Sequence, residues 1–463
     1  MTEQLMKIKS GPRSRNIHKV EPKSLAGRAL TVIAGCAAAL VMTACSQNDP
    51  VLKGDRISVL PVLKVETPMA AAFDEGAGLP VEVNINQAVS VGLTAGHSGG
   101  NPRLQAPLKR IWTAKIGGAG TELTDLAPPV VGNGMVYTVA PNGVVRAFDV
   151  KNGKQNWSIV IDDLSDDPMP GIGGGLALTP NGLAVHAGGT TLALLNAESG
   201  EIVWTVEFDI PLRGGPTIVG DDRLAVTDLD GNITVMTLVA GDTVWIHYGL
   251  AANTILYGAP SPAFANDSIV QTGAGGEVSY FDASNGDLLW TDSVASLLPR
   301  TPIQSLGDVR AHPVHDGGLI YVVSQSGRLV AFSARNGLPV WERAIAGLEM
   351  PWAAGESLFI TSLDGRLYSL RRSDGAVRWV TELAGAVPLD VIVPEDPPRY
   401  VGPVVAGGRV YIVSGNGRVQ SFNADTGVEI ASFDAGVRVL TTPQLATGRM
   451  FLLGRDGQLI AFE

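Results

Sequence analysis

Side chains that could carry out chemistry are sparse in this chain, and their spacing keeps them apart. His312-Pro-Val-His315 is an HxxH pair without a partner acid. Residues three apart on a strand point to opposite faces, so these two imidazoles do not converge on a metal. His186 and His247 are isolated. Gly171-Ile-Gly-Gly-Gly175 is rich in glycine, but no helix is expected after it and no Gly-Lys-Ser/Thr closes it. It therefore lacks the helix amides and the lysine that hold a phosphate. Asp162-Asp163 and Asp166-Asp167 fall in a polar loop and read as solvated surface. No Gly-x-Ser-x-Gly nucleophile elbow and no thiol in the mature chain are expected. No local spacing assembles an acid, a base and a nucleophile, so the residues point to a protein that binds rather than one that makes or breaks bonds. No cofactor and no metal are expected.

What the chain positions again and again is a tryptophan. The stretch from Pro351 to Trp379 reads PWAAGESLFITSLDGRLYSLRRSDGAVRW. Short alternating runs are separated by Gly355-Glu356, by Leu363-Asp364-Gly365 and by Ser373-Asp374-Gly375. Alternation of period two bounded by Asp-Gly and similar pairs is the signature of hairpins, because glycine adopts positive φ without a steric penalty. Each unit is thus a four-stranded antiparallel meander. The same plan ends at Trp157, Trp204, Trp245, Trp290 and Trp341, and once more at Ala431, where the tryptophan is replaced. The glycine of the third turn falls at 153, 200, 241, 286, 337, 375 and 427, with spacings from 38 to 52. That period matches propeller blades of roughly 40–50 residues. Asp149, Asn196, Asp282 and Asn423 precede this turn, where a short polar side chain can accept from the turn's own amides.

The final unit, from Pro443 to Glu463, supplies three strands and no tryptophan, whereas Lys109-Arg-Ile-Trp112-Thr-Ala-Lys-Ile116 stands alone before the first complete unit. Joining the two closes a ring and protects its edges. The expectation is an all-β chain: an eight-bladed β-propeller of four-stranded antiparallel blades over 109–463, the last blade closed by the N-terminal strand. Connectors of unequal length then emerge on one face, and an excess of loop on one face marks a binding face.

The first 44 residues read as a targeting segment. Seven Lys/Arg precede the apolar run Ala29–Met42, which is too short to span a membrane. Leu40-Val-Met-Thr-Ala-Cys45 resembles a bacterial lipobox, with Met42 in place of the usual leucine. Cleavage before Cys45 would leave that cysteine as a lipidation site, and Ser46 after it resembles the signal for sorting to the outer membrane. Cys36 would leave with the signal, so the mature chain has no disulfide. Residues 1–44 hold seven of the 34 basic and two of the 45 acidic residues, leaving 27 and 43 and a net charge of −16. That balance excludes nucleic-acid backbones as partners. Residues 45–108 carry no repeat. They are expected to be the lipidated N-terminus and a partly ordered tether, the alternative being a segment docked along the propeller.

The run Ala147-Phe-Asp149-Val-Lys-Asn152-Gly153-Lys-Gln-Asn-Trp157 resembles the repeat of pyrroloquinoline-quinone (PQQ) propellers. PQQ dehydrogenases carry an adjacent cysteine pair and calcium-binding acids, and no such pair exists here. An eight-bladed ring of this repeat behind a lipoprotein anchor resembles the BamB family of outer-membrane protein assembly factors over residues 45–463. The resemblance implies a non-catalytic scaffold on the periplasmic face of the outer membrane. Its expected partners are the POTRA domains of BamA, other members of the Bam complex, and unfolded outer-membrane proteins. The family's docking run is matched by Ile210-Pro-Leu212-Arg213. Its second contact is matched by Asp308-Val-Arg310, where a cation replaces the second acid. The resemblance thus implies that Ile210 and Leu212 bury apolar area on the partner, with Arg213 and Asp308 orienting it. A PQQ-dependent dehydrogenase, or a propeller lipoprotein bound to another envelope partner, are the alternatives.

Overall fold

Runs such as Ser357–Thr361 and Leu319–Val323 place apolar side chains on both faces of a strand. A strand of that kind is stable only between two other layers. The computed structural model describes residues 66–119, 126–161, 174–251, 258, 260–296, 307–386 and 399–463. In it the strands form eight four-stranded antiparallel sheets. Blades 1 to 7 are sequential meanders over 130–160, 175–207, 212–247, 263–293, 314–343, 352–382 and 400–434. Blade 8 joins the three strands of 444–462 to Arg110–Lys115 as its outer strand. The register is Arg110 opposite Phe462 and Trp112 opposite Ala461. The ring is thus closed by hydrogen bonds between the two ends of the repeat region.

First strands lie innermost, and those of blades 1 to 7, and of blades 8 and 1, pack against their neighbours. Outer strands alternate instead. In Ile202–Glu207 every second residue is exposed and the others are half-covered or exposed. The seams between blades are built by the tryptophans. Each indole lies over the turn glycine of the following blade, and its N–H donates to a backbone carbonyl there. Trp112 donates to Val150 at 3.1 Å, Trp157 to Ala197 at 3.1 Å and Trp204 to Leu238 at 3.0 Å. Trp245 donates to Ala283 at 3.1 Å, Trp290 to Ala334 at 3.0 Å, Trp341 to Arg372 at 2.7 Å and Trp379 to Ala424 at 2.8 Å. A tryptophan buries about 200 Å², a gross gain of about 5 kcal/mol for each seam. The turns are held as their sequence suggests. Asp149 accepts from the amides of Lys151 and Asn152, and Asn196 and Asn423 do the same in their turns.

Residues 1–65 lie outside the described residues, and with them Cys45 and the signal segment. From Glu66 onward the chain is no free tether. A short helix, Ala70–Asp74, packs on blade 6, where the Met69 amide donates to Val377 O at 2.8 Å. The next thirty or so residues cross the ring. Backbone bonds tie Ile85 to Thr447, Ala88 to Val131, Val89 to Leu178, Ala95 to Phe264, Gly96 to His315, Gly100 to Ala353 and Pro102 to Gly407. Those partners belong to blades 8, 1, 2, 4, 5, 6 and 7. All lie within a first strand or in the turn after it. The strap therefore seals the axis on the face opposite the connectors. The physical reason is satisfaction of donors: the inner strands are short, and their terminal amides need acceptors that the ring itself does not supply.

Candidate functional site

The connector face is where the residues singled out in the sequence meet. Leu212 begins the first strand of blade 3, which starts early because Leu212 and Arg213 pair with Asp228 and Thr227 before a bulge at Gly214–Pro216. Leu212 is fully buried, packed with Leu224, Val226 and Met236 of its own blade. Ile210 stays half-exposed, two residues earlier. Arg213 turns toward blade 5, where its Nη2 donates to both carboxylate oxygens of Asp308 at 2.9 and 2.7 Å. The pair is 5% and 1% exposed. Thr227 Oγ1 donates to Arg213 O at 2.6 Å and fixes the strand from below. Arg213 and Asp308, 95 residues apart in sequence, form one buried clasp across the top of blade 4. Arg310, the cation in place of the second acid, sits 3.3 Å from Glu349 Oε1.

This clasp flanks a blind axial pit of about 100 Å³, whose wall includes Ser261, Arg310, His312, Glu349 and Thr441. Ser90 and Val91 of the strap form its floor. His312 Nδ1 accepts from the Ser261 amide at 2.8 Å. His97, on the strap, stands edge-on to His312 with ring centroids 5.3 Å apart, and its Nδ1 donates to Pro313 O at 2.7 Å. Burial pushes His97 down to about 4 and His312 well below the ordinary imidazole range, so both are neutral at pH 7. Their nearness was not legible in the sequence, where they lie far apart. His315 is buried separately beside Tyr280. Among the described residues no group of three or more His, Cys, Asp or Glu is placed to hold a metal ion.

Against the expectation of no nucleophile elbow, one such spacing is present. Gly96-His97-Ser98-Gly99-Gly100 has the spacing of a nucleophile elbow. It lies in the strap with no helix after it, and its serine amide donates to Thr94 Oγ1 at 3.0 Å in a local turn. With the adjacent imidazole committed to Pro313, the motif is a structural turn. What the connector face offers is a rigid, mixed surface: a half-exposed aliphatic residue, a locked ion pair beneath it and a polar pit beside it.

The sequence model of the family described as outer membrane protein assembly factor BamB matches residues 105–169, 161–381 and 394–463. A BamB from Shewanella oneidensis is 27% identical over 274 residues, covering 58% of this chain and 69% of that protein. The crystal structure of BamB from Moraxella catarrhalis superposes with a TM-score of 0.62 at 19% identity, covering 77% of this chain and 99% of that one. A quinohemoprotein alcohol dehydrogenase from Comamonas testosteroni gives a TM-score of 0.59 at 12% identity over 85% of this chain and 84% of that one, a likeness of fold alone.

Proposed function

The chain belongs to the family of outer membrane protein assembly factor BamB, and we propose on that premise that it is a non-catalytic scaffold of the machinery that inserts β-barrels into the outer membrane. In this reading acyl chains on Cys45 hold it to the periplasmic face of that membrane. The connector face docks on POTRA domains of BamA, within the Bam complex. The observation that carries the reading is the family match across every blade, together with a connector face made rigid by the Arg213–Asp308 clasp. A preformed surface loses little freedom on docking, which favours affinity.

The geometry divides the labour among the four proposed docking residues. Leu212, at 0% exposure, sets the shape of the connector from inside. Arg213 and Asp308 neutralise one another and tie the first strand of blade 3 to the connector before blade 5. Ile210 is the member with surface left to bury. Outer strands also expose Ile202, Val203, Val244, Ile246, Leu288 and Leu289. Such edges suit a second role, the transient pairing of unfolded outer-membrane proteins as an added strand.

The test is co-purification with the periplasmic domains of BamA, comparing wild type with Ile210→Asp. A charge at this half-exposed position spoils the docking face without cutting the clasp. At least about a tenfold loss of affinity is expected, equal to 1.4 kcal/mol, with an unchanged melting temperature. Equal binding by both proteins overturns the docking assignment. Arg213→Glu is the poorer test, because it sets two carboxylates against each other inside the fold. Cys45→Ala is expected to release the protein from membranes into the soluble periplasmic fraction. Added PQQ and calcium are expected to produce no dye reduction with alcohols or sugars, and turnover would favour the dehydrogenase reading.

A further inference from the structure

Seven of the ring's eight seams hold an indole, from Trp112, Trp157, Trp204, Trp245, Trp290, Trp341 and Trp379. The seam between blades 7 and 8 does not. Ala431 pairs with Ser421, and Ser421 with Tyr411. The same ladder in blade 6 reads Trp379, Ser369 and Phe359, so Ala431 stands where the indole belongs. The turn glycine is missing as well. In blade 8 the third strand and the outer strand come from opposite ends of the repeat region, so no turn joins them. Residues 106–108 run past the position instead.

The result is a cavity of about 270 Å³, lined by Pro107, Leu108, Tyr411, Ser421, Ala431 and Phe433. It opens outward, because Ala431 is exposed, whereas Trp112, Trp157, Trp341 and Trp379 at the equivalent positions are buried. Its inner wall is already shaped for a ring. In four other blades the aromatic residue at the place of Tyr411 stacks obliquely on its indole. Tyr137 lies 6.0 Å from Trp157, Tyr321 6.0 Å from Trp341, Phe359 6.0 Å from Trp379 and Phe451 5.9 Å from Trp112, between ring centroids. Tyr411 keeps this wall without the ring that it serves elsewhere. It is 2% exposed, and its hydroxyl finds no hydrogen-bond partner among the described residues. Phe433 fills only the far part of the seam, against Phe462 at 5.1 Å.

We propose that this closing seam is a receptor notch for one aromatic side chain, an indole above all, presented by an extended segment of a partner polypeptide. Four indoles of this molecule already pack on the equivalent aromatic wall, which shows the chemistry that fits it: a flat apolar ring. The entrance at Ala431 admits a side chain from outside. The notch lies on the rim of the ring, apart from the connector face, and does not depend on the docking reading.

The test titrates the full ring with N-acetyl-Gly-Trp-Gly-amide, with the leucine analogue and with free indole. Chemical shifts of the Ala431 methyl group and the Phe433 ring report occupancy. Saturable binding of the tryptophan peptide is expected, about tenfold tighter than the leucine peptide, which corresponds to the aromatic pairing at the Tyr411 wall. Ala431→Trp supplies the missing indole from within and is expected to weaken peptide binding at least about tenfold. Should that variant fold poorly, Ala431→Met fills the same space and is expected to act alike. Absence of saturable binding, equal binding of the leucine peptide, or undiminished binding by a filled variant overturns the proposal. Binding of free indole without the peptide overturns its polypeptide part.

Discussion

The clasp between Arg213 and Asp308 makes a quantitative prediction. Both groups are almost wholly enclosed, at 5% and 1% exposure, so solvent screening does little to reduce their coupling. Arg213→Met leaves the Asp308 carboxylate in a site shaped for a guanidinium, and Asp308→Leu leaves a buried cation. Removing one member of such a pair costs about 3–5 kcal/mol, whereas replacing both by apolar groups of similar size is close to neutral. Unfolding entropy is about 2.1 cal/mol/K per residue, so the roughly 350 residues of the ring give about 0.7 kcal/mol/K. Each single variant should then melt about 4–7 °C below wild type. The double variant should recover most of that loss. Scanning calorimetry of all four proteins closes the cycle, and the coupling between the two sites should exceed about 2 kcal/mol. Single variants within about 1 °C of wild type would refute the argument, since that is the behaviour of a solvated surface pair. The cycle also bears on the partner. Under the proposed docking on BamA, a clasp that serves only to shape the connector predicts that the double variant keeps that binding while either single variant loses it.

Three further outcomes follow from the geometry. Burial holds His97, His186 and His315 at about 4 and His312 well below its ordinary value, against about 6.5 in the unfolded chain. The unfolded state then binds more protons in this window, so stability is full above about pH 6.5 and falls as pH drops toward 4, by up to about 1.4 kcal/mol per pH unit for each imidazole. Melting curves from pH 7 to pH 4.5 check this, and a flat profile contradicts it. Gly153 has φ of +70°, and a Cβ there would lie 2.6 Å from the Trp112 indole, while Gly134 has φ of +74° and open space. Gly153→Ala should cost about 2–5 kcal/mol, combining backbone strain of about 1–2 with overpacking of about 1–3, and Gly134→Ala only the backbone part. Equal losses in urea melts would deny the seam its tight packing. Deleting residues 66–108 should speed amide exchange at Val131, Leu178, Phe264 and His315, whose N–H groups donate to the strap. Unchanged protection would mean that the ring closes those amides without it.

The repeat, its turns and its tryptophans were legible in the sequence because each rests on a local rule. Alternation fixes which side chains face a seam, Asp-Gly and Asn-Gly fix the hairpins, and the spacing of glycine to tryptophan fixes the blade. Even closure was legible, since three strands at one end and one strand at the other admit one pairing. Other features needed coordinates. Leu212 looked like a docking residue and lies inside blade 3, because a bulge after Arg213 lets the strand start early. Arg213 and Asp308 looked like two separate contacts and are one ion pair. Residues 66–108 carry no periodic pattern, since a strap that bonds once to each of many blades has a different neighbour at nearly every step. Ala431 read only as a missing tryptophan; that its absence leaves an open aromatic notch depends on what residues 106–108 fail to fill. Patterns repeated along the chain report on contacts with near neighbours in sequence. Contacts made once, between segments brought together by closing the ring, leave no such trace.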